Sequence, residues 1–428
     1  MAQRRGRPPG GVRYICGALL FVVSLTQVKN NSLLKYCAVF TALATFVLVW
    51  MGGLVTSHGA GLAVPDWPNT YGYNLFFFPV SKWIGGIFYE HTHRLVASVV
   101  GFLTSILALW LFGRPARPVL RWAGAVFVVA GIGLCAKFPA HTAENLLLSG
   151  IGLTALVAGF FWPNCEPSAK WLRVLGVAAF FTVVAQGVLG GLRVTRLNDQ
   201  LGIFHATLAQ LFFLLLCSIA LFQTEFWRRL PVQAETDFRH FRPFFVLTTA
   251  LILGQLALGA TMRHQHAGLS IPDFPTAYGK IWPDTDAAAI ARYNQNRLEV
   301  MGYNPITAFQ VELQMVHRLM ALLILMAVGA CAWRAWRYLG RGHWLTRFSL
   351  AWLGLVLAQV FLGAATIWTG KSADVATAHV ACGALCLATG GLASIVSCRL
   401  LAAPAARVRL AANDDLTTLP PSSAMPAK

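Results

Sequence analysis

The sequence predicts an all-α integral membrane protein, built from tandem duplicated four-helix bundles plus an extra helical hairpin, with about ten transmembrane helices. Three observations predict it. The 428-residue chain is 57% hydrophobic and only 12% charged, far from a soluble globular composition. Apolar runs of about 18–25 residues recur, each long enough to cross about 30 Å of hydrocarbon. The stretch Gly59-Ala-Gly-Leu-Ala-Val-Pro-Asp-Trp-Pro-Asn-Thr-Tyr-Gly72 also returns 207 residues later as His266-Ala-Gly-Leu-Ser-Ile-Pro-Asp-Phe-Pro-Thr-Ala-Tyr-Gly279.

The apolar runs fall at about 36–56, 86–112, 120–137, 143–162, 173–193, 202–222, 244–262, 309–333, 348–368 and 376–398. The third and fourth are the least regular, because Lys137, Pro139, His141 and Glu144 crowd the turn between them. Residues 14–28 are apolar but short, with Gln27 and Lys29 beside them, and read as an interfacial helix or a poor signal-like region. No small-residue cleavage site stands out, so the N-terminus is expected to be retained. A cytoplasmic segment 1–35, a linker 223–243 and a tail 399–428, expected to be disordered, frame the two units 36–222 and 244–398.

The net charge of +18 would suggest nucleic acid only if the basic residues formed one soluble face. They sort by loop instead. With the N-terminus inside, cytoplasmic segments hold twenty-three Lys and Arg and outer segments hold nine. The positive-inside rule then puts both termini on the cytoplasmic or matrix side. The basic excess is a topology signal.

The duplication extends beyond the loop. Each copy leads into an apolar helix carrying His-Arg, at His93-Arg94 and at His317-Arg318. Ala185-Gln-Gly-Val-Leu-Gly190 precedes His205, as Ala358-Gln-Val-Phe-Leu-Gly363 precedes His379. His93 and His205 are 112 residues apart, whereas His317 and His379 are 62 apart. The surplus matches an inserted pair of spans at about 114–165. Two added helices leave parity unchanged, so the units form a parallel repeat of four helices each.

By that parity the four histidines lie at similar depth, near the outer ends of their helices. A lone histidine in an apolar helix is usually a satisfied core residue. Four at matched repeat positions point to ligation instead. Two neutral imidazoles across a four-helix core supply bis-axial ligation of haem iron, in a dry pocket. Zinc would need a further Cys, Asp or Glu ligand, which the second unit lacks at that depth.

Glu90, His93 and Arg94 stand at i, i+3 and i+4, so they share one helix face. A carboxylate and a guanidinium within hydrocarbon are costly and should face the bundle interior. The plain reading is a Glu90–Arg94 pair that holds the helix end. The functional reading is a carboxylate beside a reacting group. The second unit has Gln314 at the position of Glu90, so only the first pocket keeps an acid. One site then looks reactive and the other looks like a permanent cofactor site. Arg94 and Arg318 suit the propionates of a haem, because Arg pairs bidentately with carboxylates.

Asp66 and Asp273 follow proline in the repeated loops, which read as folded lids with Trp67 and Phe274 as apolar plugs. His58, His91, His264 and His266 lie at the same surface without matching register and stay outside the site. The nine cysteines show no Cys-x-x-Cys-His and no zinc spacing, and no structural disulfide is expected. Cys382 and Cys386 read as a packed apolar pair.

These residues resemble a known family. Gly-Gly-Leu-Val-Thr before Ala-Gly-Leu-Ala-Val-Pro-Asp-Trp-Pro, followed by Glu90-His-Thr-His93-Arg94, is similar to haem A synthase of the bacterial and mitochondrial membrane type. The resemblance covers about 36–112 and 173–398. It implies oxidation of the C8 methyl of haem O to the formyl of haem A, through a hydroxymethyl haem, with haem b as redox cofactor. It places the substrate haem between His93 and His205, haem b between His317 and His379, and the catalytic role on Glu90. It implies a bacterial cytoplasmic or mitochondrial inner membrane. Expected partners are the lipid bilayer, haem O and the enzyme that makes it, an electron acceptor and further copies of the chain; nucleic acid is not among them. The chain departs from the family in lacking a cysteine after Pro-Asp-Trp-Pro, and in its hairpin 114–165 and long second loop 263–308. The competing reading is a di-haem membrane cytochrome that transfers electrons without modifying haem.

Overall fold

The computed structural model describes residues 31–230, 242–296 and 305–400. The short apolar run 14–28, most of the linker and the tail beyond residue 400 lie outside them. Ten helices among the described residues are long and apolar enough to cross a membrane, and they coincide with the ten predicted runs. In chain order they are α1 (Ser32–Ser57), α2 (Gly85–Phe112), α3 (Ala116–Lys137), α4 (Thr142–Phe161), α5 (Lys170–Arg196), α6 (Asp199–Phe222), α8 (Arg242–His264), α10 (Ala308–Leu339), α11 (Trp344–Trp368) and α12 (Ala373–Leu400). Two short helices complete the set, α7 (Glu225–Arg229) and α9 (Ala287–Gln295). Polar residues start several helices by taking up free amides. Asn31 accepts from Leu34 N at 3.1 Å, and Thr307 and Gln310 form a reciprocal capping box at the head of α10.

Eight of the long helices close into two rings. In the first, α1 packs on α2, α2 on α5, α5 on α6 and α6 back on α1. In the second the cycle runs α8, α10, α11, α12. The rings meet through α1 and α6 on one side and α8 and α12 on the other. Small residues let these helices approach. Gly53 faces Thr377, Gly202 faces the His264 ring and Gly391 faces Leu214. α12 is therefore the central helix, with 67% of its apolar window buried, against 17% in α8 and α11. The large apolar side chains left exposed, such as Trp122 at 75% and Phe361 at 63%, have hydrocarbon as their natural solvent.

α3 and α4 form the inserted hairpin. Glycines seven residues apart on each helix (Gly124 and Gly131, Gly152 and Gly159) bring the two backbones together. A Cβ at Gly124 would lie 2.4 Å from Leu156 N. The insertion point is stitched by backbone hydrogen bonds, Arg114 N to Cys165 O at 2.8 Å and Ser168 N to Leu111 O at 2.9 Å. The chain therefore leaves and rejoins the first ring at one place. Excision of residues 114–167, joining Gly113 to Ser168, is expected to leave a monodisperse membrane protein in detergent chromatography. Aggregation of the excised chain would show that the hairpin supports the ring.

The two repeated loops fold alike. Asp66 accepts hydrogen bonds from Tyr71 N and Gly72 N, both at 2.8 Å. Asp273 accepts from Tyr278 N at 2.7 Å and Gly279 N at 3.0 Å. The tyrosines return their hydroxyls to the loop backbone, Tyr71 to Ala63 O and Tyr278 to Ser270 O. Trp67-Pro68 and Phe274-Pro275 are both cis. The second loop is longer, and α9 braces it. Tyr293 stacks on Tyr278 with ring centroids 3.5 Å apart, and Asn294 holds both backbone groups of Ile306.

Candidate functional site

The four histidines occupy one diagonal of each ring. His93 on α2 and His205 on α6 belong to the first, His317 on α10 and His379 on α12 to the second. The members of each pair are within electrostatic reach of one another. Each imidazole lies against a glycine of the preceding long helix of its ring. A Cβ at Gly52, Gly190, Gly259 or Gly363 would come within 3.1–3.4 Å of the Cε1 of His93, His205, His317 or His379 respectively. The glycines therefore set the space into which each ring turns. Leu48, Gln186, Gln255 and Gln359 each precede one of these glycines by one helical turn. Gln186 Nε2 donates to the His205 carbonyl at 3.1 Å and Gln255 Nε2 to the His317 carbonyl at 2.9 Å. His379 Nδ1 lies 3.1 Å from the Gln359 carbonyl.

The Nδ1 atoms of His93, His205 and His317 are buried without a hydrogen-bond partner. Buried polar nitrogens in native interiors are normally satisfied, so three at equivalent places mark ring positions suited to a further group. Imidazole pairs across a four-helix core, each ring seated on a glycine, suit a flat iron macrocycle. Among the described residues, no group of three or more His, Cys, Asp or Glu could hold a bare metal ion.

Glu90 is 4% exposed, and both of its oxygens are engaged. Oε2 accepts from Val64 N at 2.9 Å, and Oε1 lies 2.7 Å from Arg94 Nη2. Gln314 does the matching work in the second ring. Its Oε1 accepts from Ile271 N and from Ser270 Oγ, each at 2.7 Å. The amide-for-carboxylate exchange thus keeps the anchor for the lid and removes one negative charge. Arg94 spends its Nη groups on the lid as well, reaching the carbonyls of Val64, Asp66 and Asn69 at 2.7–3.0 Å. Arg318 gives its two Nη atoms to the carbonyls of Thr276 and Asp273. Arg94 and Arg318, the expected contacts of haem propionates, thus give their Nη atoms to lid carbonyls.

Trp67 sits over Gly191 of α5, where a Cβ would meet the indole at 2.3 Å, and is 42% exposed. Phe274 packs against Trp368, whose Nε1 donates to the Phe274 carbonyl. Two histidines expected at the surface are buried. His91 is fully enclosed, with Nδ1 3.1 Å from Thr70 Oγ1 and its ring between Phe78 and Trp83. His264 is 8% exposed and 3.8 Å from Asp199. Their helix faces turn toward a folded lid and a neighbouring helix, which local sequence does not reveal. The Gln-x-x-x-Gly spacing marks Gly190 and Gly363 in the sequence, and the same spacing at Gln255 marks Gly259, but only packing shows which imidazole each glycine faces.

Asp273 offers a test of the lid. Partial burial acts to raise its carboxyl, but hydrogen bonds from Gly279 N, Thr276 Oγ1 and Tyr278 N outweigh this and hold it below the ordinary range. A depressed carboxyl contributes stability above its unfolded value, about 3.9. That stability is lost as pH falls through the lower folded value. Protection of the Tyr278 and Gly279 amides against hydrogen exchange should therefore persist to about pH 4 and fail below it. In Asp273→Asn the same amides should show no such acid step; an unchanged step would place the titrating group elsewhere.

Fold and site together define a class: a duplicated helical membrane protein with a half-buried histidine pair in each half, under a lid latched by arginine. Residues 147–390 match the model of the COX15-CtaA family, described as cytochrome oxidase assembly protein. That is more than half of the chain, and the chain belongs to this family. The match takes in His205, His317 and His379; Glu90, His93 and the first lid precede it. The chain is 23% identical over 373 residues to the Heme A synthase of Shewanella oneidensis, covering 82% of this chain and 92% of that protein. It is 23% identical over 359 residues to the Heme A synthase of Alkalihalophilus pseudofirmus, covering 81% and 91%. Over 255 residues it is 29% identical to that of Rhizorhabdus wittichii, covering 57% and 67%.

Proposed function

We propose that this protein is a haem A synthase, an oxidoreductase that converts the C8 methyl of haem O to a formyl group. The observation that carries this reading is the repeated diagonal histidine pair with an acid beside only one copy. In it, haem O occupies the first ring between His93 and His205. A resident haem b is held between His317 and His379. No side chain oxidises an unactivated methyl, so a haem b held there would supply the redox chemistry, passing the four electrons removed from the methyl to an external acceptor, with water or dioxygen as the oxygen source. The chain's own residues bind, orient and shield. The paired imidazoles would set the depth of each haem, and the facing glycines leave room for the imidazole rings. Arg94 and Arg318 act on the pockets through the lids they latch, which exclude water. Glu90 sits under the first lid where the second has Gln314, and in this reading it releases its lid contacts to take up a proton or to stabilise positive charge at the oxidised carbon. The loop charges put the lid face outside the cytoplasm or matrix.

One observation favours the second reading, a di-haem electron-transfer cytochrome. Glu90 and Gln314 hold equivalent lid amides, so the acid has a structural duty that needs no chemistry. Co-expression with a haem O-producing enzyme separates the two. Mass analysis of extracted haems should show a species carrying the formyl group. Haem B and haem O alone, from a folded protein with His-dependent spectra, would establish the electron carrier instead.

A further inference from the structure

The ends of α5 and α8 and the turn between α11 and α12 gather positive charge where the two rings meet. Arg193 and Arg263 are within electrostatic reach of His264, and Lys371 is within reach of Arg263. Lys371 is held below its usual range by burial, with Arg263 adding to the effect. Asp199 is the acid at this place, its side chain 58% exposed and 3.8 Å from His264. Glu90 is also within electrostatic reach of Arg193, but its oxygens are taken by Val64 N and Arg94. Cations drawn out of water without matching anions are costly, so the cluster calls for an anionic ligand.

The hydrogen bonds say where such a ligand meets the protein. Arg193 Nε is buried without a partner, and its Nη1 makes one long contact, 3.3 Å from the Gly61 carbonyl. Arg193 is also within electrostatic reach of both His93 and His205. Arg263 gives Nη2 to the Gly53 carbonyl at 2.8 Å and to Ser57 Oγ, and it lies within electrostatic reach of His379. Lys371 is in no ion pair among the described residues. Its Cδ lies 3.9 Å from the Cβ position of Gly268. Gly61 and Gly268 are the same position of the repeat, so each lid glycine faces a cation from the turn region before its ring's last helix. A Cβ at Gly61 would come 2.6 Å from Arg193 Nη1.

We propose that Arg193 in the first pocket, and Arg263 with Lys371 in the second, bind the carboxylates of the haems. The assignment rests on the haem reading above. It moves the propionate contacts away from Arg94 and Arg318, whose Nη atoms are given to the lids, Arg318 keeping one unpartnered Nε. One junction thereby serves both pockets.

The test uses the full chain purified without haem and titrated with ferric haem b and with its dimethyl ester, which lacks the carboxylates. The first pocket is read in a His317→Ala background and the second in a His93→Ala background. Each pocket should prefer the free acid by about tenfold to a hundredfold, the scale of one charge-assisted hydrogen bond. Arg193→Gln should abolish the preference in the first pocket only, and Arg263→Gln or Lys371→Gln in the second only. Affinity for the ester should be unchanged, which also reports that each variant is folded. Equal binding of acid and ester by the parent protein overturns the proposal without needing any variant. So does a preference removed by Arg94→Gln or Arg318→Gln but kept in the junction variants. If neither compound gives histidine-dependent bands, the haem reading fails together with this inference.

Discussion

On the proposed assignment, replacing His317 or His379 with alanine is expected to empty the second pocket of haem b. The six-coordinate visible bands expected of the purified protein should be lost, and turnover with them. A ring with one imidazole retains a glycine-lined space but has no opposed donor to complete axial ligation. Loss of haem is distinct from unfolding here. The rest of α10 and α12 stays anchored by the capping box at Thr307 and Gln310, and by contacts such as Trp352 Nε1 to the Cys386 carbonyl at 3.0 Å. Equivalent changes at His93 or His205 should leave those resident bands in place. Unchanged spectra in both His317→Ala and His379→Ala would reject the ligand assignment.

Glu90→Gln should leave the resident haem bound and lower formation of the formyl haem by about a hundredfold or more, the scale of a lost general acid–base group. The structure makes this substitution a clean one. Gln314 already shows that an amide at this position accepts a lid N–H, so the variant can keep the bond to Val64 N. What it removes is the negative charge beside Arg94. Comparing Glu90→Gln with Glu90→Ala then separates charge from anchoring. Undiminished haem A formation in Glu90→Gln would remove the catalytic role and leave Glu90 as a lid anchor.

Much of this architecture was legible in the chain. The ten spans could be read because a bilayer demands long uninterrupted apolar runs. The surplus between His93 and His205 marked the hairpin of α3 and α4, since an insertion changes spacing without changing parity. The lids were visible as a recurring Pro-Asp motif. Their internal bonds could be anticipated because an Asx carboxylate commonly caps nearby amides in a turn. Partner choice was less visible. Arg94 and Arg318 looked free to meet a ligand, yet they reach lid carbonyls 25–45 residues away in sequence. His91 looked peripheral because helix angle alone cannot show that a loop folds over it.

The membrane class, the duplication and the residue types at the four histidine positions are written in local pattern and in the spacing between copies. Only the tertiary structure decided which helices close each ring and which glycine faces each imidazole. It also decided that Arg193, Arg263 and Lys371 share a junction while Arg94 and Arg318 hold the lids. Those features depend on contacts between segments up to 210 residues apart, such as Arg263 with Gly53. Distant charges of the same kind look alike in a sequence until packing assigns their hydrogen bonds.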